Sequence, residues 1–184
     1  MDPRRFGQGE DAMRRHTIGF GVVVCGMALG IGLGGAGAAE LKVGDRAPAF
    51  SMKGSDGKSY SLDQFKGKTA VVLGWFPKAF TGGCTAECKS LREKGDLLRP
   101  LKVAYFTASV DTPELNRKFA ESLDLDYPIL SDPDKSVARA YGVLNEARGF
   151  ANRWTFYIDK EGVIRAIDLK VRETPLRFSL AVVL

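Results

Sequence analysis

The stretch TAVVLGWFPKAFTGGCTAEC, Thr69 to Cys88, decides the fold. Ala70 to Phe76 is apolar throughout. It lacks the period-two alternation of a strand with one wet face, so it predicts a strand buried on both sides. Pro77, Gly82 and Gly83 then interrupt the run. From Cys84 to residue 98 no helix breaker appears until Gly95, and Cys88, Leu91 and Arg92 recur at helical spacing. A buried strand therefore gives way to a helix, with two of the chain's three cysteines at the junction.

The flanking segments extend the pattern. Upstream, Phe50-Ser51-Met52 and Lys58-Ser59-Tyr60 bracket Gly54-Ser55-Asp56-Gly57, whose Asp-Gly pair predicts a hairpin turn. Downstream, Lys102 to Val110 reads as a second buried strand. Thr112-Pro113 places a capping hydroxyl and a proline at the start of a helix running to about Leu123. Tyr127 to Leu130 predicts a short strand, and Asp132-Pro133 the start of another helix. Trp154 to Ile158 and Val163 to Ile167, joined by Asp159-Lys160-Glu161-Gly162, predict a closing hairpin. Alternating strands and helices followed by a hairpin imply an α/β domain, a central mixed sheet with helices on both faces.

The N-terminus reads differently. Arg14-Arg15-His16 is a basic flank, Ile18 to Leu33 is apolar and glycine-rich, and Ala36-Gly37-Ala38 is a small-residue cleavage site, after which charges return at Glu40 and Lys42. Residues 1–39 are expected to be a signal peptide, with an uncleaved anchor as the alternative, and residues 40–184 the mature domain. The protein is thus expected outside the cytoplasm, periplasmic or secreted, and on a membrane only if that segment is retained. Met13 could serve as the start. Cys25 lies within the apolar run after three valines, without the small residues that precede a lipid-modified cysteine. Beyond residue 39 the chain keeps 23 basic and 19 acidic residues, net +4, scattered along its length. With no basic block and no interleaved aromatics, nucleic-acid binding is not expected.

Cys84 falls in the first turn of the predicted helix. Free backbone N–H groups point at such a position and the helix dipole favours negative charge there. The thiolate is the nucleophilic form of cysteine, so this is a place to build a reactive one. Gly82 and Gly83 allow a tight turn and a close ligand, and Thr81 offers a hydroxyl three residues earlier. On these features alone, a buried or disulfide-bonded cysteine pair is equally compatible.

A resemblance narrows the choice. Pro77-x-x-x-Thr81-x-x-Cys84 resembles the active-site signature of the peroxiredoxins, thiol peroxidases of thioredoxin-like fold. The similarity extends over nearly all of residues 41–168, through Val43-Gly44-Asp45-Arg46-Ala47-Pro48, Ser109-Val110-Asp111-Thr112-Pro113, Leu130-Ser131-Asp132-Pro133-Asp134, Ala140-Tyr141-Gly142-Val143 and Arg153-Trp154-Thr155-Phe156. Two cysteines on one helix resemble the bacterioferritin-comigratory, or peroxiredoxin Q, branch. The resemblance implies reduction of hydrogen peroxide and organic hydroperoxides without a metal or organic cofactor, at the expense of a thioredoxin-like or other thiol reductant, in a monomer or homodimer. It makes Cys84 the cysteine that attacks peroxide, Thr81 the hydroxyl that binds thiolate and peroxide oxygens, Arg153 the guanidinium that stabilises the developing charge, and Pro77 the shield of the site. Cys88 is then the residue expected to resolve the sulfenic acid as an intramolecular disulfide. Glu87 either orients the arginine or is surface charge.

Three departures accompany the resemblance. Gly82 stands where the family commonly has proline, three residues rather than four separate the cysteines, and the tail from Val171 to Leu184 does not resemble the family's closing helix, as truncation or a shifted reading frame would produce. Two other functions fit a cysteine pair on a thioredoxin-like fold. An exported copper chaperone would use Cys-x-x-x-Cys with a distant histidine, but the only histidine is His16, inside the signal segment. A structural zinc site lacks ligands for the same reason. A thiol–disulfide oxidoreductase would want Cys-x-x-Cys just after the strand tryptophan, and Trp75 lies nine positions before Cys84.

Overall fold

The computed structural model describes residues 40–93, 95 and 102–169. Residues 1–39, 94, 96–101 and 170–184 lie outside them, and with them the expected signal segment, the end of the helix expected to reach residue 98, and the tail that departs from the resemblance. The hairpin is present as β1 (Ser51–Gly54) and β2 (Ser59–Ser61), with Gly57 at φ +84° in its turn. The central run forms β3 (Val71–Trp75), buried at every position. Helix α1 (Gly82–Glu93) follows, then β4 (Ala104–Ser109), α2 (Pro113–Ser122), β5 (Ile129–Ser131) and α3 (Ser136–Ala140). Two short strands, β6 (Leu144–Asn145) and β7 (Phe150–Ala151), pair with each other before the closing hairpin of β8 (Thr155–Ile158) and β9 (Ile164–Asp168).

Seven strands form one sheet in the order β2-β1-β5-β4-β3-β8-β9. The three central strands β5, β4 and β3 are parallel, and the outer ones pair antiparallel. Each step from β3 to β4 to β5 moves the same way across the sheet, so two right-handed crossovers put α1 and α2 on one face. Phe76, Cys84, Cys88, Phe119, Leu123 and Ile129 form the core there. From β5 the chain returns past β3 to β8, which carries α3 to the other face. Val71, Leu73 and Trp75 pack there with Val137, Ala138 and Tyr141. Alternate residues of β3 thus feed opposite layers, the physical reason its sequence shows no polar position.

Two helix starts differ from the sequence expectation. Helix α1 starts at Gly82 rather than after the glycines, because neither glycine needs a left-handed conformation there. Helix α3 starts three residues after Pro133: the Asp132 carboxylate reaches over the intervening turn to accept from the amides of Val137 (3.3 Å) and Ala138 (2.7 Å). Thr112, by contrast, caps α2 as expected, accepting from the Leu115 amide at 3.3 Å. The β6–β7 pair had no sequence signal, since two-residue strands carry no periodicity.

Candidate active site

The parallel strands end together at one edge of the sheet, and the site is built there. Beyond β3 the chain descends through Pro77 and the turn Lys78–Phe80 into α1. The Ala79 amide donates to the Asp111 carboxylate at 2.8 Å, which ties this turn to the end of β4. Asp111 is itself set by a buried group: its amide donates to the Ser109 hydroxyl, which shares Asn116 of α2 with Ser131 of β5. Phe80 adopts φ +61°, a left-handed conformation that a bulky residue rarely takes. Its ring packs on Phe119 with centroids 5.0 Å apart, although the residue is 54% exposed.

Cys84 occupies the third position of α1 and is 1% exposed. Arg153 approaches from the far side of the chain. It lies two residues before β8, and β8 pairs antiparallel with β3, so the start of one strand meets the end of the other: Gly74 sits opposite Thr155, and the Trp75 amide donates to the Trp154 carbonyl at 2.7 Å. The guanidinium is divided between the sulfur, a carboxylate and, at 3.5 Å, the Gly83 carbonyl. Nη2 donates to the Cys84 sulfur at 3.2 Å, and Nη1 donates to the Glu87 carboxylate. Glu87 is buried, so of its two sequence readings the arginine partner is the one realised. The close approach also explains Gly83. A Cβ there would stand 3.3 Å from Nη2, so a larger residue would crowd the arginine away from the sulfur. A Cβ at Gly82 would meet nothing within 4 Å, so this departure from the expected proline answers to no steric demand for glycine.

The remaining expected residues fall around this pair. Pro77 is half-buried beside the turn, and Thr81, Gly82 and Gly83 form an exposed rim over Cys84. The Thr81 hydroxyl donates to the Lys78 carbonyl at 3.0 Å, so its proton is directed at the loop rather than at the sulfur. Cys88 lies one turn further along α1, fully buried, and both thiols are free. Burial pushes the Cys88 thiol up to about 11, against the opposing effect of the nearby Tyr127 hydroxyl. A neutral thiol is a poor nucleophile, so Cys88 is unreactive while α1 is intact. Arg92, on the same helix, donates to the Leu123 carbonyl at the end of α2 (2.8 Å). Sequence reading gave no role at the site to Asp111, Arg92 or Tyr127. Asp111 lay inside a recognised motif. The others carry no local signal, because their partners are distant in the chain.

This arrangement suits two-electron chemistry at sulfur. A guanidinium donor and a helix N-terminus converge on one sulfur at the edge of the fold, and a second thiol lies one helical turn away. Comparison with known proteins agrees. Residues 43–167 match the AhpC/TSA family. The chain is 36% identical over 132 residues to alkyl hydroperoxide reductase E of Mycobacterium bovis, covering 71% of this chain and 86% of that protein. It is 36% identical over 133 residues to peroxiredoxin Bcp of Escherichia coli, covering 69% and 85%. Among solved structures, the peroxidoxin BcpB of Mycobacterium tuberculosis superposes with a TM-score of 0.65 at 29% identity, over 70% of this chain and 86% of that one. A reduced 2-Cys peroxiredoxin of Plasmodium vivax gives 0.66 at 26% identity, over 71% and 72%. These likenesses favour peroxide reduction over copper handling and disulfide exchange, and with the match covering most of the domain, the chain belongs to the AhpC/TSA family and is a peroxiredoxin, a cysteine-based peroxidase.

Proposed function

We propose that Cys84 attacks the terminal oxygen of a hydroperoxide, that its sulfur becomes a sulfenic acid, and that Cys88 then resolves it. In the first step the S–O bond forms as the O–O bond breaks, and the departing oxygen leaves as water or an alcohol once protonated. The observation that carries this reading is the Arg153 Nη2 donor 3.2 Å from the Cys84 sulfur in the first turn of α1. A fixed donor at that place steadies the thiolate and is aimed where the peroxide oxygens gain charge. Thr81, on the rim, is the second donor once its proton turns from the Lys78 carbonyl to an incoming oxygen, and Pro77 limits access of water.

In the second step the Cys88 sulfur displaces the sulfenic oxygen, which leaves as water with the thiol proton. One helical turn separates the two Cα atoms by about 6 Å, inside the disulfide window of roughly 4.4–6.8 Å. The Cβ atoms of such a pair stand about 5–6 Å apart, whereas a disulfide needs roughly 3.5–4.5 Å. Formation of the bond therefore requires α1 to open over the turn that joins the two cysteines. Both cysteines fall in one tryptic peptide, Ala79 to Lys89. After one equivalent of peroxide that peptide is expected to lose two hydrogens in mass. With Cys88→Ser, Cys84 is expected to be trapped by dimedone and to over-oxidise to the sulfinic acid faster than in the unaltered protein. If Cys88→Ser turns over at the unaltered rate and over-oxidises no faster, Cys88 is a bystander and an outside thiol resolves Cys84.

The protein is exported in this reading, with residues 1–39 removed, and a thioredoxin-like thiol protein outside the cytoplasm supplies its electrons. The basic flank, apolar run and Ala36-Gly37-Ala38 support this. N-terminal sequencing of native protein is expected to begin at Ala39 or Glu40. A cytoplasmic protein beginning at Met1 or Met13 refutes it.

A further inference from the structure

Helix α1 carries both thiols, and three side-chain ties hold it to the rest of the fold. Arg153 binds at Glu87 and Cys84, and Arg92 reaches out to the end of α2. The third tie is at the second cysteine. Tyr127, in the segment leading into β5, is buried, and its hydroxyl donates to the backbone carbonyl of Cys88 at 3.0 Å. That carbonyl already serves the helix as the acceptor for the Arg92 amide, and its second lone pair takes the phenol. The bond is therefore additional to the helix's own ladder, and it crosses 39 residues of sequence to the turn that must move if Cys88 is to reach Cys84.

We propose that Tyr127 is a positioning residue for the second half-reaction: its hydroxyl latches the Cys88 turn of α1 to the sheet, and release of that latch sets how fast Cys88 reaches the oxidised Cys84. This rests on the reading of Cys88 as the resolving cysteine. Three features support the latch. The ring packs on Tyr105 of β4 (centroids 5.3 Å apart), a contact with the sheet that does not depend on the hydroxyl, so the phenol oxygen is a fixed point and not a swinging one. Cys88 is fully buried, so disulfide formation must pass through an opened state. The Thr107 hydroxyl of β4 is buried beside the same thiol without a hydrogen bond of good geometry, and it gains water when the turn opens. The closed turn is thus held by one well-made bond next to one unmade one, a balance suited to opening on demand.

The test is Tyr127→Phe, which removes the oxygen and keeps the ring. Losing one such bond is expected to raise the rate of disulfide formation about three- to tenfold. The sulfenic acid becomes correspondingly shorter-lived, and over-oxidation at high peroxide falls by a similar factor. The rate of the initial peroxide step stays unchanged, because the phenol does not touch Cys84 or Arg153. Rapid-mixing measurements of the two steps separate them. In a Cys84→Ser background, where no peroxide chemistry occurs, iodoacetamide is expected to label Cys88 three- to tenfold faster when Tyr127→Phe is added. Disulfide formation and labelling at unaltered or lower rates overturn the latch. So does slowing of both steps, which marks a general packing role. If the unaltered protein forms no Cys84–Cys88 disulfide at all, the resolving role of Cys88 fails first and the latch with it.

Discussion

Cys84→Ser is expected to abolish peroxide consumption while leaving the fold intact. Serine is nearly isosteric, and the buried position in α1 tolerates it sterically. A hydroxyl is a far weaker acid than a thiol and a correspondingly poor nucleophile. More fundamentally, the reaction oxidises the nucleophilic atom by two electrons. Sulfur accepts that change and returns from it through a thiol, whereas a serine oxygen has no stable sulfenic counterpart. The variant is expected to match the unaltered protein in circular dichroism and to consume hydrogen peroxide at the uncatalysed rate. Any catalysed consumption surviving in Cys84→Ser moves the chemistry to another residue, Cys88 being the only other cysteine in residues 40–184.

The next largest effect belongs to Arg153. Arg153→Ala is expected to slow the peroxide step by about a hundred- to a thousandfold, the loss that follows removal of one preorganised donor at a developing negative charge. It also leaves the buried Glu87 carboxylate without its partner, which costs stability. The two consequences can be separated. Adding Glu87→Gln to Arg153→Ala removes the stranded charge, so the thermal midpoint recovers while the peroxidase rate does not. Arg153→Lys is expected to rescue little. A single ammonium cannot place one donor on the sulfur and another on the carboxylate as the guanidinium fork does. If Arg153→Ala reduces peroxide at the unaltered rate, the contact to the sulfur is structural only and the stabilising charge must come from the helix start.

Much of this was legible along the chain. The run Ala70 to Phe76 has no polar position because both faces of β3 are covered, and that uniformity survives in a linear reading. The Asp56-Gly57 turn, the Thr112-Pro113 helix start and the spacing of Cys84 from Thr81 are equally local: each depends on residues within a few positions, where propensity and capping act. A helix N-terminus is itself a local object, so the sequence could single out Cys84 as the candidate nucleophile. The pairing of two cysteines on α1 followed from the same short segment.

The tertiary structure decided what reaches those residues. Arg153 lies 69 positions from Cys84, and only the antiparallel pairing of β8 with β3 brings it to the sulfur. Nothing near Glu87 in sequence distinguishes an exposed carboxylate from a buried one. Its burial follows from the packing of α1 on the sheet. Tyr127 reads as a strand aromatic until β5 takes its place beside β4, in a parallel pairing set by helix α2, and turns the phenol toward the Cys88 carbonyl. The division has one physical cause. Secondary structure and its termini are settled by neighbours within a turn or two, so they are written in the order of residues. The environment of a thiol is made by whatever the sheet order places against it, and that order is a property of the whole folded chain.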